Sequence, residues 1–295
     1  VPCFTPLKAY RAPGGGVAFN SKEGYVDRPL ELQCGQCRGC RLNRSKEWAL
    51  RCIHEAQLHD ANCFITLTYD SDQVPADGGL DVSHWQKFAK RVRKRVGPFR
   101  FLHCGEYGEK NFRPHFHACM FGQDFSKDRE VWKSDGPNET FVSPMLDELW
   151  GKGFATVGHL TWQSAAYVAR YVMKKATGPL AEEKYRRIDL ETGEEFFVKP
   201  EYVTMSRRPG LASGWFEKYR SDVFPEDVVV HSGAKHRPPK YYDRLLESEA
   251  PQEFETIRGK RRDWAFKRRE ESTPERLRVR EEVLEARLSR LVRDL

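Results

Sequence analysis

The chain has no apolar run approaching the roughly 18 residues that span a bilayer. Its opening, VPCFTPLKAY, lacks the apolar core of a signal peptide. A membrane helix and a secretory leader are therefore not expected, and the expected compartment is cytosolic. Disulfides are rare there, so the 8 cysteines read as reduced thiols or metal ligands. There is no internal repeat and no low-complexity tract. What remains is a globular balance over 295 residues, 39% hydrophobic and 32% charged. Lys and Arg number 50 against 43 Asp and Glu, a formal charge of +7. That surplus suits a nucleic-acid partner without demanding one. Three consecutive stretches are expected: a Cys-rich segment and helix over 1–60, the chemistry over 61–180, and a basic, helical region over 181–295.

Cys34, Cys37 and Cys40 are spaced by three, and Gly35 and Gly39 permit tight turns between them. Such spacing lets sulfurs curl round one ion, and a structural Zn²⁺ needs a fourth ligand, with Cys3 and Cys52 as candidates. An iron–sulfur cluster fits the spacing as well, and a loop of free thiols is the alternative. No second CxxC pair occurs. From Arg41 to Leu58 the pattern turns helical, with Leu42, Ser45, Ala49, Cys52 and Ala56 on one stripe and Arg41, Arg44, Arg51 and Glu55 mostly off it.

Phe64–Tyr69 is a strand by its β-branched and aromatic composition. Asp81 or Ser83 caps a helix that runs to Val96 and stops at Gly97-Pro98. Trp85, Phe88, Val92 and Val96 form its buried stripe, and Lys87, Lys90, Arg91, Arg93, Lys94 and Arg95 cover the rest. That basic face is either a solvated surface or one that tracks phosphates. Strands over Phe101–Glu106 and Arg113–Phe121 flank a hairpin. Residues two apart on a strand share a side, so His115 and His117 project together and can grip one divalent ion. Glu106 is the expected third ligand, with Glu109 and His103 as rivals. Two imidazoles and one carboxylate leave positions open for a phosphate oxygen and water, and Mg²⁺ or Mn²⁺ suits such a substrate.

Ser164–Lys175 reads as a helix that ends at Thr177-Gly178-Pro179. Tyr167 and Tyr171, four apart, share a face, and Lys174 continues it. A phenol ionises near pH 10, so a nearby cation is needed to make it a nucleophile at neutral pH. Core tyrosines beside an exposed lysine are the plainer explanation of the same pattern. In the last third, Phe196–Val203 is strand-like, Arg207-Arg208-Pro209-Gly210 forms a basic turn, and Trp215, Phe216 and Tyr219 follow. Aromatics among cations suit stacking on unpaired bases, or equally a small core with a basic rim. Residues 235–240 look like a stiff linker. Ser272-Thr273-Pro274-Glu275 starts a last helix whose Leu277, Leu284, Leu288, Leu291 and Leu295 share a face. That face is available to the body of the protein, another copy, or a host replication protein.

Phe64–Tyr69, the Pro114-His115-Phe116-His117 strand and the Tyr167/Tyr171/Lys174 helix together resemble the HUH (His-hydrophobic-His) endonuclease superfamily. Tyr171-Val172-Met173-Lys174 matches its Tyr-x-x-Lys pattern. Cys34–Cys40, Gly105-Glu106-Tyr107-Gly108-Glu109 and Met205-Ser206-Arg207-Arg208-Pro209-Gly210 narrow the resemblance to the replication initiators of gokushoviruses, phages of the microvirus family. The resemblance implies an α+β, RRM-like fold: a central antiparallel sheet with flanking helices, plus a Cys-rich N-terminal segment and a helical C-terminal extension. It implies an endonuclease core over 61–180, with catalytic Tyr167, Tyr171 and Lys174 and a metal on His115, His117 and Glu106. The implied activity nicks single-stranded DNA at a phage origin in the host bacterial cytoplasm through a 5′-phosphotyrosine, and rejoins it in rolling-circle replication. Lys90, Arg91, Arg93, Lys94, Arg113, Arg207 and Arg208 are the expected DNA contacts. A non-catalytic single-strand-binding protein and a phosphoesterase that uses water are the rival readings.

Overall fold

The computed structural model describes residues 2–108, 111–135, 138–171, 179–189 and 192–290. The side chain of Tyr171 and all of Glu109, Lys174, Leu291 and Leu295 lie outside that description. In chain order the first elements are β1 (Leu7–Arg11), β2 (Val17–Ala18), β3 (Tyr25–Leu32), α1 (Arg38–Ala56), β4 (Asn62–Thr68), α2 (Val82–Val96), β5 (Arg100–Tyr107) and β6 (Pro114–Phe121). Then come β7 (Glu130–Asp135), β8 (Asn138–Val142), α3 (Pro144–Trp150), β9 (Ala155–Gly158), α4 (Trp162–Tyr171), α5 (Pro179–Tyr185), β10 (Arg186–Ile188), β11 (Glu195–Phe197) and β12 (Tyr202–Met205). The chain closes with α6 (Ser213–Val223), β13 (Val229–His231), β14 (Ala234–His236), α7 (Lys240–Glu249), α8 (Pro251–Lys267) and α9 (Pro274–Ser289). Two compact units result, one of residues 1–44 with 246–295 and one of residues 45–245. These units interleave along the chain, whereas the stretches read from the sequence are consecutive.

The larger unit is built on a seven-stranded antiparallel sheet in the order β12-β5-β6-β4-β9-β8-β7. The α+β class with a central antiparallel sheet is therefore the observed one. Strand alternation divides the sheet into two faces. On one, Phe116, Ala118 and Met120 of β6 pack with Trp85, Phe88 and Val92 of α2 and Leu146 and Trp150 of α3. On the other, Cys119 and Phe121 of β6 meet Leu102 and Cys104 of β5, Ala49 and Cys52 of α1, and Ala165 and Val168 of α4. Asp81 caps α2 by accepting from Ser83 N at 2.8 Å, and Gly97 ends the helix at φ +108°.

Several local expectations change. The Phe196–Val203 strand is two strands, β11 and β12, and β12 joins the central sheet beside β5. The expected linker over 235–240 begins inside a hairpin of β13 and β14 and ends at the first residue of α7. Arg51 and Glu55, placed mostly off the α1 stripe, are buried. They hold the 209–212 loop: Arg51 donates to the Leu211 carbonyl, Glu55 accepts from Ala212 N, and Arg100 bridges Glu55 to the Pro209 carbonyl. Trp215 and Phe216 are core residues rather than a base-stacking surface. Trp215 stacks on His54 at 3.5 Å between ring centroids, and Phe216 packs on Tyr242.

In the smaller unit, β2-β1-β3 form a sheet. Thr273 caps α9 by accepting from Arg276 N, with Pro274 at the first helical position, as the sequence pattern predicts. Leu277 of the expected leucine face is buried. Among the described residues no helix is long and apolar enough to cross a membrane.

Candidate metal and tyrosine centre

The pairing of β5, β6 and β4 assembles the site. Glu106 stands opposite His115, and Thr66 opposite His117, so these side chains share the α4 face of the sheet. His115 Nε2 and His117 Nε2 each lie 2.7 Å from the same oxygen, Glu106 Oε1. The two rings sit edge to face, 4.9 Å between centroids. His115 Nδ1 lies 3.1 Å from the Arg113 carbonyl, and His117 Nδ1 lies 2.9 Å from Thr66 Oγ1. Phe64 stacks on His117 at 5.4 Å. These partners fix both ring orientations from behind, as outer partners of metal-binding imidazoles do.

The donor chemistry fits a cation. The Arg113 carbonyl can only accept, so the proton of a neutral His115 sits on Nδ1 and its Nε2 lone pair faces Glu106 Oε1. Two acceptors at that distance repel each other unless a proton or a cation lies between them. Glu106 Oε2 is buried and has no hydrogen-bond partner among the described residues, a further acceptor turned inward. Burial alone would raise the Glu106 carboxyl, but the hydrogen bonds and charges of His115 and His117 outweigh it and bring the pKa to about 2. The three ligand atoms lie within 4.8 Å of one another.

Helix α4 brings a phenol to this group. The Tyr167 hydroxyl donates to Glu106 Oε1 at 3.2 Å, and its ring meets His117 edge to face at 5.0 Å. Tyr171 is one turn further on the same helix. The rival ligand His103 is separated from the centre by strand parity. It lies on the opposite sheet face, stacked on Trp85 at 3.8 Å, with Nδ1 2.9 Å from Thr204 Oγ1. Burial holds its pKa well below the ordinary value.

The expected DNA contacts fall in different places. Arg113 is drawn inward, donating to the Tyr69 carbonyl at 2.6 Å. Arg91 donates to the Leu149 and Trp150 carbonyls at the end of α3, and Arg93 lies 4.7 Å over Phe99. Lys90 and Lys94 are exposed on α2, as are Arg207 and Arg208 after β12. Lys90, Arg93 and Arg207 line one groove with Trp85, Phe101 and Met205. Because α2 covers the sheet face opposite α4, this groove does not join the metal and tyrosine centre.

In the smaller unit Cys34, Cys37 and Cys40 gather with Cys3, their four sulfurs within 4.8 Å of one another. Cys52, the other candidate, is buried against the α1 face of the sheet instead. Sequence reasoning missed Thr66 and Phe64 as supports of His117. The signal was present in the strand alternation, which puts Phe64, Thr66 and Thr68 on the face that holds both histidines.

Two imidazoles and a carboxylate converge on the sheet face beneath α4 as a group that could hold a metal ion, with the Tyr167 phenol beside it. Residues 62–176, which contain this whole arrangement, match the model of the replication-associated protein ORF2/G2P family. The chain is 32% identical over 256 residues to the replication-associated protein ORF2 of Spiroplasma virus 4, covering 81% of this chain and 75% of that one. It is 29% identical over 266 residues to the replication-associated protein VP4 of Bdellovibrio phage phiMH2K, covering 85% and 79%. Against the replication-associated protein ORF4 of Chlamydia phage 1 it is 31% identical over 224 residues, 73% of this chain and 53% of that protein. No solved structure matches the chain. The chain belongs to this family of phage replication-associated proteins, of the gokushovirus type.

Proposed function

We propose that the chain acts in phage replication as a metal-dependent endonuclease, nicking single-stranded DNA at the phage origin with a tyrosine nucleophile and later rejoining it. One observation carries the reading: the Tyr167 hydroxyl lies 3.2 Å from the carboxylate oxygen that both histidines share. Packing alone does not require a phenol to point at that oxygen. His115, His117 and Glu106 would hold Mg²⁺ or Mn²⁺, which supplies Lewis-acid polarisation of the scissile phosphate.

Glu106 Oε1 would accept from the Tyr167 hydroxyl and so orient it toward the phosphate. Tyr167 gives up its phenolic proton to solvent and forms its Oη–P bond as the P–O3′ bond breaks, and the departing 3′-oxygen takes up a proton, leaving a 5′-phosphotyrosine and a free 3′-hydroxyl for synthesis. The phosphodiester keeps the energy of the broken bond, so rejoining needs no ATP. Tyr171, one helical turn away, takes the second cut while Tyr167 is still bonded to DNA. Lys174 steadies the phosphate charge. In this reading 61–180 is the endonuclease core, flanked by the Cys-rich 1–60 and the basic 181–295, and it works in the host cytoplasm with host replication proteins.

The test is incubation with labelled single-stranded oligonucleotides and Mn²⁺, followed by denaturing electrophoresis. A protein–DNA adduct that resists denaturation is expected. Metal-indifferent binding without an adduct would leave a single-strand-binding protein. Cleavage that survives replacement of both tyrosines would leave a phosphoesterase that uses water.

A further inference from the structure

We infer that Cys3, Cys34, Cys37 and Cys40 hold one structural Zn²⁺, separate from the centre on the sheet and independent of its chemistry. The distances carry this. Cys3 and Cys34 sulfurs are 3.6 Å apart, Cys3 and Cys37 3.9 Å, and Cys34 and Cys40 4.0 Å. A tetrahedral site with Zn–S bonds of about 2.3 Å has S···S edges of about 3.8 Å. All four sulfurs fall within 4.8 Å of one another, so they close round a single ion. A cubane iron–sulfur cluster places each thiolate on a different iron and splays them well beyond that.

The surroundings are built for thiolates. Phe4 N donates to Cys37 Sγ at 3.4 Å, Cys34 N to Cys3 Sγ at 3.3 Å, and Gln36 N and Cys37 N to Cys34 Sγ at 3.4 and 3.2 Å. Thr5 Oγ1 adds a donor to Cys34 Sγ at 3.3 Å. A neutral thiol is a poor acceptor, whereas five donors aimed at sulfur suit anions. Gly35, at φ +74°, makes the turn that brings two of these amides onto one sulfur. Four thiolates on Zn²⁺ leave a net charge of −2. The segment answers it with the N-terminus of α1, whose first turn has no acidic residue, and with Arg44, whose guanidinium lies against Gly35.

The site joins the third residue of the chain to the start of α1, closing a loop of about 30 residues that contains the β2-β1-β3 sheet. Such a loop has little buried apolar surface of its own, and β3 is largely exposed. Metal binding supplies folding free energy that this segment lacks.

The experiment is elemental analysis of the full chain, purified without chelator and washed with EDTA. About one zinc per chain is expected in the wild type and in His115→Ala, with less than about a tenth of it in Cys3→Ser and Cys37→Ser. Should those variants aggregate, the wild type suffices: a mercurial thiol reagent must release zinc, read by a chromogenic chelator, in step with the modification of four thiols. Co²⁺ substitution should give the intense visible bands of a tetrathiolate site. Iron with visible charge-transfer absorption, a Cys3–Cys34 disulfide in the intact mass, zinc retained by Cys3→Ser, or zinc lost from His115→Ala would each overturn the assignment.

Discussion

Glu106→Gln is the sharpest perturbation, because the amide keeps the volume of the side chain and removes only its charge. In the wild type Glu106 Oε1 is 2.7 Å from both imidazoles and accepts from Tyr167 at 3.2 Å. Hydrogen bonds to an ion are worth about 1.5–3 kcal/mol and neutral ones about 1, so the two histidine contacts weaken by about 2 kcal/mol together. The new amide group takes the buried position of Oε2, which has no partner among the described residues, and an unsatisfied donor there costs about 1–3 kcal/mol. Metal-free protein should therefore lose about 3–5 kcal/mol, or roughly 6 °C or more of Tm. The decisive readout is the difference that Mn²⁺ makes. At a hundredfold excess over Kd the ion should stabilise the wild type by about 2.7 kcal/mol, roughly 5 °C. The variant should show little of that rise, and its rate of adduct formation should fall about 100-fold or more. Affinity for single-stranded DNA should change by less than about threefold, since phosphate contacts dominate it. An undiminished Mn²⁺ response and adduct rate in Glu106→Gln would refute the ligand assignment, and a larger loss in Glu109→Gln would move the third ligand there.

Tyr167→Phe and Tyr171→Phe should each still form one covalent adduct yet fail to complete circles, while the double variant forms none. Peptide mapping decides, and circles completed by Tyr167→Phe would leave a one-tyrosine mechanism. His54 is buried against Trp215 and Tyr242, and burial, helped by the charge of His231, holds its pKa at about 3 against an ordinary 6.5. The unfolded chain takes up this proton below pH 6.5 and the folded one does not. Stability is therefore full above 6.5 and falls by about 1.4 kcal/mol per pH unit from there down to about pH 3, where the folded chain takes up the proton as well. His54→Phe keeps a ring on Trp215 and should lose that slope in urea titrations at pH 6.5 and 5, and an unchanged slope would assign the acid sensitivity elsewhere. Lys90→Ala with Lys94→Ala should flatten the log–log salt dependence of single-strand binding by about 1.4 if both meet phosphates. No change in slope would leave the α2 face a solvated surface.

The two-residue period of the strands made most of the centre legible. It put His115 and His117 on one side of β6 and, through the hairpin, brought Glu106 opposite His115. The same parity excludes His103, an argument available from the chain alone once Glu106 is taken as ligand. Capping chemistry likewise located the starts of α2 and α9. Long-range partners were not legible. The sequence offers Cys3 as a fourth sulfur only on a par with Cys52, since no spacing ties it to Cys34, 31 residues on. Nothing in Tyr202–Met205 announces that it pairs with β5, a hundred positions earlier. The carbonyl partners of Arg91 and Arg113 were not legible, because composition cannot separate a solvated cation from one that also reaches carbonyls. Trp215 and Phe216 illustrate the same ambiguity for aromatics, which serve a core and a base-stacking surface equally well.

The division of β6 between two faces explains how the centre keeps its geometry. Phe116, Ala118 and Met120 are fully buried against α2 and α3, and they lock the register of the strand from one side. A slip of one residue would put these apolar side chains on the α4 face and carry both histidines into the apolar core, so the core enforces the alignment of the ligands. The ligand face then needs few contacts of its own: Thr66, Phe64 and the Arg113 carbonyl orient the rings, and Glu106 and Tyr167 complete the group. Stability and chemistry can consequently be perturbed at neighbouring residues of one strand. Truncating Phe116 to Ala removes a buried ring and should cost about 3–5 kcal/mol while leaving every proposed ligand in place. Truncating His115, half-buried at the rim, should cost far less stability and abolish the reaction. The sequence His-Phe-His thus alternates a proposed ligand, a register lock and a proposed ligand within three residues, with both histidines on one side of the sheet and the phenylalanine on the other.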